Sequence, residues 1–194
     1  MHYVRSIQLK QGDPIVYARA GEELAYFRAH GYSPLVLPGL SSALAAPACA
    51  GIPVTHRGVA ESFVVCTGVG RQGKVVSLPG YDRARTVLVL MGVARLGEVV
   101  RALVTTEHGG RRDGPAYPAY LPIAIIERGS MARPEGTRKL NDARGCAECG
   151  GGVGEQRPLG MIVIGWAVLA FGQRDGVLED IEVYAQGQEW RDRM

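Results

Sequence analysis

Apolar residues in this chain fall into short runs, each closed by small or turn-forming residues. Val4 to Leu9 alternates loosely and predicts a strand that stops at Gly12-Asp13-Pro14. Glu22 and Glu23 suit the positive end of a helix that continues from Leu24 to His30, with Gly31 as its C′ residue. Leu35-Val36-Leu37 predicts a buried strand stopped by Pro38-Gly39. Ser41-Ser42 heads an Ala-rich helix to about Ala50, and Gly51-Ile52-Pro53 ends it. Further strands are predicted over Phe63 to Thr67, Thr86 to Met91, Leu121 to Ile126 and Met161 to Ala170, with helical spacing over Leu96 to Val104.

Val/Ile/Leu runs mixed with Ala-rich helical runs imply an α/β fold. With 194 residues and 46% hydrophobic content, the chain can build one good core or two small ones. Val54 to Gly58 reads as a crossing between two lobes. The expected division is an N-terminal α/β lobe over 1–53, a C-terminal α/β lobe over 54–170 and a polar tail over 171–194. Within the second lobe, 133–156 is glycine-rich, lacks periodicity and is expected to be a flexible loop. The sequence reaches its first glycine loop after a single strand. A parallel sheet needs neighbouring strands, so the N-terminal lobe is expected to lack its first ones.

The net charge of +3, from 22 basic and 19 acidic residues, gives no basic cluster for nucleic acid. The longest apolar run, Leu159 to Phe171, is broken by Gly160 and Gly165 and is too short to span a bilayer. Four cysteines do not make a disulfide scaffold, and a reducing, cytoplasmic setting is expected. Cys146 and Cys149 form a C-x-x-C, but no second ligand pair stands at zinc-finger spacing. Two free thiols on a loop are the simpler reading.

Three loops share one design, an apolar strand followed by small residues: Gln11-Gly12-Asp13, Gly39-Leu40-Ser41-Ser42 and Gly68-Val69-Gly70. Met91-Gly92 and Arg128-Gly129 are similar. Ligands of α/β proteins bind outside the carboxyl ends of strands, so the convergence points to a small-molecule pocket. Gly12 admits φ > 0 and close backbone approach. Asp13 offers a carboxylate that accepts from N–H or hydroxyl groups. Gly68-Val69-Gly70 is weak as a nucleotide fingerprint because the third glycine is missing. No nucleophile–base constellation stands out.

Several passages together resemble the uroporphyrinogen-III C-methyltransferases of the tetrapyrrole methylase family, in the fungal-type form where glutamine precedes Gly-Asp. They are Leu9 to Pro14, Arg19 to Glu23, Phe27 to Gly31, Pro38 to Ala43, Gly51 to Gly58, Cys66 to Gly68, Thr86 to Met91 and Ile126 to Ser130. The resemblance covers about residues 5 to 131 and resumes near Pro158 to Val168. It implies a two-lobed fold holding S-adenosylmethionine in the cleft, and two methyl transfers to ring carbons of uroporphyrinogen III, giving precorrin-2 on the route to sirohaem. Carried over by position, the donor site is Gln11, Gly12, Asp13, Val16, Ser41, Ser42, Met91 and Gly129. Arg19 and Arg57 are candidates for the substrate carboxylates, which arginine meets bidentately. A cytoplasmic homodimer, without nucleic-acid or membrane partners, is implied as well.

There are departures. The family's Gly-Pro-Gly-Asp-Pro loop is absent, as are the aspartate and lysine proposed as its proton acceptor and donor. Ala18 and Ala20 stand where the family has glycines, and Arg133 to Gln156 departs from its Gly-Thr-Leu region. The alternative expectation is therefore a non-catalytic, truncated or degenerate chain that binds ligand weakly or only dimerises.

Overall fold

The computed structural model describes residues 6–70, 76–105, 112–127, 129–130, 137–139 and 160–170. Its centre is a five-stranded mixed sheet in the order β1-β3-β7-β5-β6. These strands are Ser62–Thr67 (β1), Arg85–Leu90 (β3), Pro122–Glu127 (β5), Thr137–Lys139 (β6) and Gly160–Ile164 (β7). A separate parallel pair joins Leu78–Pro79 (β2) to Arg112–Asp113 (β4). β1 and β3 are parallel, while β7 lies antiparallel between β3 and β5. β1, β3 and β5 therefore share one direction, and their carboxyl ends share one edge of the sheet.

The three central strands are apolar at nearly every position because both faces are covered. Val87, Val89, Ile123, Ile125, Ile162 and Ile164 pack on one face with Leu96, Val99, Val100 and Leu103 of the helix Leu96–Val104 (α3). Leu88, Ala124, Ile126, Met161 and Val163 pack on the other with Ala43 and Ala46 of the helix Ser42–Cys49 (α2). Each fully buried Leu or Ile contributes about 1.5–3 kcal/mol. The alanines of α2 keep that helix close to the sheet. This closeness matters for function, since α2 begins at one of the glycine loops.

Most sequence-derived elements appear at their expected places. The first helix runs Ala20–Ala29 (α1), with Glu22 and Glu23 in its first turn. It ends at Gly31 (φ 79°), where Tyr32 N–H donates to Phe27 O and Gly31 N–H to Arg28 O, both at 3.0 Å. That is a Schellman cap built on the glycine. The last strand is shorter than the periodicity suggests. It stops at Ile164, Gly165 turns with φ 134°, and a 3-10 turn follows over Trp166–Leu169. A Cβ at Gly165 would sit 3.0 Å from Arg85 O, so the backbone bends where it touches β3.

Two expected strands are not strands. Residues 6–10 and 33–39 have no regular secondary structure and join no ladder among the described residues. Leu35 and Leu37, expected to be buried, are 85% and 72% exposed, and Ile7 and Leu9 are 82% and 89% exposed. Alternation makes a segment fit for a sheet, but a strand forms only against a neighbour. No helix among the described residues is long and apolar enough to cross a membrane. Cys66 is buried and Cys49 exposed. The Cys146/Cys149 motif, the expected flexible loop over 133–156 (apart from β6) and the tail over 171–194 lie outside the described residues.

Candidate functional site: a cleft at the strand ends

Two loops far apart in sequence are locked together by one carboxylate. Asp13 Oδ1 accepts from Ile15 N–H at 2.8 Å and Val16 N–H at 3.1 Å, and Oδ2 accepts from Gly39 N–H at 3.1 Å. Pro14 disfavours helix at Asp13 and lets the side chain turn forward onto the next two amides. These three donors, Gly39 foremost and then Ile15, hold the Asp13 carboxyl below the ordinary aspartate range, with Val16 adding a smaller contribution. Of the N–H and hydroxyl donors expected for the Asp13 carboxylate, backbone N–H groups of the two loops take much of its capacity, with acceptor capacity left on Oδ2.

The loops touch through bare backbone. Gly12 has φ 81°. A Cβ at Gly39 would lie 2.3 Å from Gly12 O, so only glycine fits there. Beyond Gly39, Ser41 caps α2, its Oγ accepting from Ala43 N–H at 3.2 Å. Ser42 is exposed in the first turn of α2. The loop after β5 joins the same helix, since a Cβ at Gly129 would meet Ala46 Cα and Cβ at 3.2 Å. Gln11, Gly12, Asp13, Val16, Ser41, Ser42 and Gly129 are thus gathered around the start and flank of α2.

Met91 belongs to a neighbouring strand end. It follows β3 with φ 56°, a left-handed conformation that costs a non-glycine residue about 1–3 kcal/mol. Gly68 N–H donates to Leu90 O at 2.8 Å, and a Cβ at Gly68 would lie 2.5 Å from Gly92 Cα. The ends of β1 and β3 are thereby pressed together, and Met91 stays 47% exposed. An exposed methionine on a strained turn at the ligand edge of a sheet suits an apolar wall better than a core.

The two arginines are not brought together with this cluster. Arg19 has φ 62° and lies at the head of α1, where Nε and Nη2 donate to Glu22 Oε2 at 3.0 and 2.5 Å. It borders an open cavity of about 400 Å³ lined also by Gln8, Glu22, Glu23, Tyr26 and Phe27. Lys10 stands beside it, paired to Glu23 and donating to Ala18 O at 3.1 Å. Arg57 sits exposed in a turn closed by the His56–Ala60 bridge.

One residue of the cluster escaped the sequence reading. Tyr17 has φ 54°, and its hydroxyl donates to Val65 O of β1 at 3.1 Å. A single tyrosine carries no motif, so only the fold reveals this bond. Among the described residues, no group of His, Cys, Asp and Glu could hold a metal ion. Bare glycine backbone, a capped helix start and an apolar strand-end side chain are groups of the kind that hold a small molecule with polar and apolar parts.

Known proteins resemble this chain in sequence and in fold. The profile of the tetrapyrrole (corrin/porphyrin) methylases matches residues 5–139. A probable uroporphyrinogen-III C-methyltransferase of Schizosaccharomyces pombe is 48% identical over 122 residues, covering 63% of this chain and 23% of the relative. The uroporphyrinogen-III C-methyltransferase of Saccharomyces cerevisiae is 39% identical over 172 residues, covering 89% and 27%. This chain thus spans about a quarter of the length of those two relatives. The uroporphyrin-III C-methyltransferase of Thermus thermophilus complexed with S-adenosylhomocysteine superposes with TM-score 0.61 at 30% identity, covering 82% of this chain and 65% of that one. The profile match takes in the Asp13–Gly39 clamp, the strained turn at Met91 and strands β1 to β6, and the chain belongs to the tetrapyrrole (corrin/porphyrin) methylase family.

Proposed function

We propose that this chain is the methyl-donor-binding part of an S-adenosylmethionine-dependent uroporphyrinogen-III C-methyltransferase, acting on the route through precorrin-2 to sirohaem. The observation that carries the reading is the Asp13–Gly39 clamp, which exposes glycine backbone beside the start of α2. The donor fits these residues. Gly12 and Gly39 are exposed and pack so closely that a Cβ at Gly39 would strike Gly12 O, and Met91 offers exposed apolar surface. Gly12, Gly39, Ser41 and Ser42 would hold the polar groups, and Val16, Met91 and Gly129 the remainder. When bound, S-adenosylmethionine supplies an electrophilic methyl group for a nucleophilic ring carbon. The residues here bind and orient it, and the loops keep their shape without rearrangement. Arg19 and Arg57 are proposed for the carboxylates of the tetrapyrrole, with Arg19 exchanging Glu22 for substrate.

The reading includes a two-lobed body divided near residue 53 and a cytoplasmic homodimer without nucleic-acid or membrane partners. Ile7, Leu9, Leu35 and Leu37 leave exposed apolar side chains on the first lobe. Calorimetric titration with S-adenosylhomocysteine tests the donor site. Micromolar binding that Asp13→Ala abolishes is expected, and a well-folded chain giving no heat would overturn the reading. Light scattering on the same sample gives the oligomeric state.

A further inference from the structure

Among the described residues, the segment from Pro14 to Arg19 is irregular backbone held by several named contacts. Two of its residues, Tyr17 and Arg19, hold left-handed φ values of 54° and 62° without being glycine. Left-handed backbone at bulky residues persists only where surrounding contacts over-determine it, and such places cluster at ligand clamps. Here the contacts can be named. Asp13 holds the Ile15 and Val16 amides. Lys10 Nζ donates to Ala18 O. Glu22 holds the Arg19 guanidinium. At the centre, Tyr17 reaches across 48 residues of sequence to donate to Val65 O in β1.

The Tyr17 bond differs in kind from the others. Asp13, Lys10 and Glu22 tie the segment to residues 10–39, whereas Tyr17 ties it to the sheet. Among the described residues β1 is an edge strand, with β3 as its one neighbour in the sheet. The end of β1 is pressed against the Met91–Gly92 turn through Gly68. Tyr17 therefore ties the segment that carries Val16 to the strand pair that carries Met91.

We infer that Tyr17 is a positioning residue of the donor cleft, setting the separation between Val16 and the Met91 turn through its hydrogen bond to Val65. The inference rests on the donor-binding reading above. Loss of the hydroxyl leaves the ring in place but releases the strap from β1. The donor then meets a cleft whose two walls are no longer in register. The cost falls on donor affinity, not on the sheet.

Tyr17→Phe is the test, with Tyr32→Phe as an exposed control. Calorimetry with S-adenosylhomocysteine is expected to show donor affinity falling by about two- to tenfold in Tyr17→Phe, the range of one lost hydrogen bond, and unchanged in Tyr32→Phe. Hydrogen exchange is expected to speed up at the Ile15 and Val16 amides while β3 amides stay protected. Where turnover is measured, the donor KM rises and the tetrapyrrole KM does not. Wild-type binding with equal affinity in Tyr17→Phe overturns the inference alone. So does an affinity loss matched by faster exchange throughout β3, which is general destabilisation. Absence of donor binding by folded wild type overturns the donor reading and this inference together.

Discussion

Asp13 and Gly39, 26 residues apart in sequence, are joined by a 3.1 Å hydrogen bond from the glycine amide to Oδ2. Through that bond the loop at Gly12-Asp13 and the loop before α2 become one surface. Among the described residues neither loop joins a β-ladder, so the carboxylate holds them as a sheet does elsewhere.

The clamp has a definite pH dependence. Its donors favour the ionised carboxylate, so the folded-state pKa of Asp13 lies below the unfolded value. For a depressed pKa, the contribution is full above the unfolded value and is lost as pH falls through the folded one. The clamp is thus closed at neutral pH and opens only in acid, below the usual aspartate range. An NMR titration of the Asp13 carboxyl carbon is expected to show a midpoint below that of an ordinary aspartate. A midpoint at or above it means that the clamp does not exist in solution.

Two glycines of the cleft separate backbone contact from side-chain contact. An added Cβ at Gly39 would meet Gly12 O at 2.3 Å, and neither backbone can yield without breaking the Asp13 bond. At Gly129 the nearest atoms are Ala46 Cα and Cβ at 3.2 Å, a distance that a small shift of α2 relieves. Gly39→Ala is expected to abolish S-adenosylhomocysteine binding while the melting transition of the sheet is retained. Gly129→Ala is expected to weaken binding only severalfold. Calorimetry beside thermal melts reads both, and equal effects of the two substitutions contradict this account.

The sheet was largely legible in the sequence because its strands are buried on both faces. Val87 to Leu90 and Ile123 to Ile126 are continuous apolar runs of strand length, bounded by turn residues. The glycine loops were legible because Gly12, Gly39 and Gly129 stand where backbones meet. Segments 6–10 and 33–39 misled for the opposite reason. Their alternation describes what they could pair with, but strand formation depends on a neighbour that the local sequence does not encode. Tyr17 and Arg19 were illegible as strained residues, because their left-handed backbone is imposed by Asp13, Val65 and Glu22, not by their own propensities.

Arg112 terminates α3 in place of a conventional cap. Its Nη1 donates to Ala102 O, Leu103 O and Thr105 O at 2.8, 2.7 and 3.0 Å, and Nε donates to Gly114 O at 3.1 Å. A cation at the negative end of a helix also meets the dipole favourably. Arg112→Ala frees carbonyls that are only partly open to water and is expected to cost about 1–3 kcal/mol. The melting temperature should fall by roughly 2–10 °C. Arg112→Lys should recover only part of this, since a single ammonium cannot reproduce the fork. Full recovery by lysine would show that charge alone matters there.

Thr86 offers a test of the core itself. It lies on β3, is fully buried, and its Oγ1 has no hydrogen-bond partner among the described residues. A buried hydroxyl without a partner loses its hydration and gains nothing in exchange. Valine has nearly the same shape and no hydroxyl. Thr86→Val is therefore expected to stabilise the fold by about 1 kcal/mol, raising the melting temperature by roughly 2–4 °C. Thr86→Ser keeps the unsatisfied oxygen and removes the methyl group, so it is expected to destabilise by about 1 kcal/mol. Chemical denaturation of the three proteins gives the order valine, threonine, serine. If valine is instead the least stable, Oγ1 has a partner in solution and β3 is wetter than its packing implies.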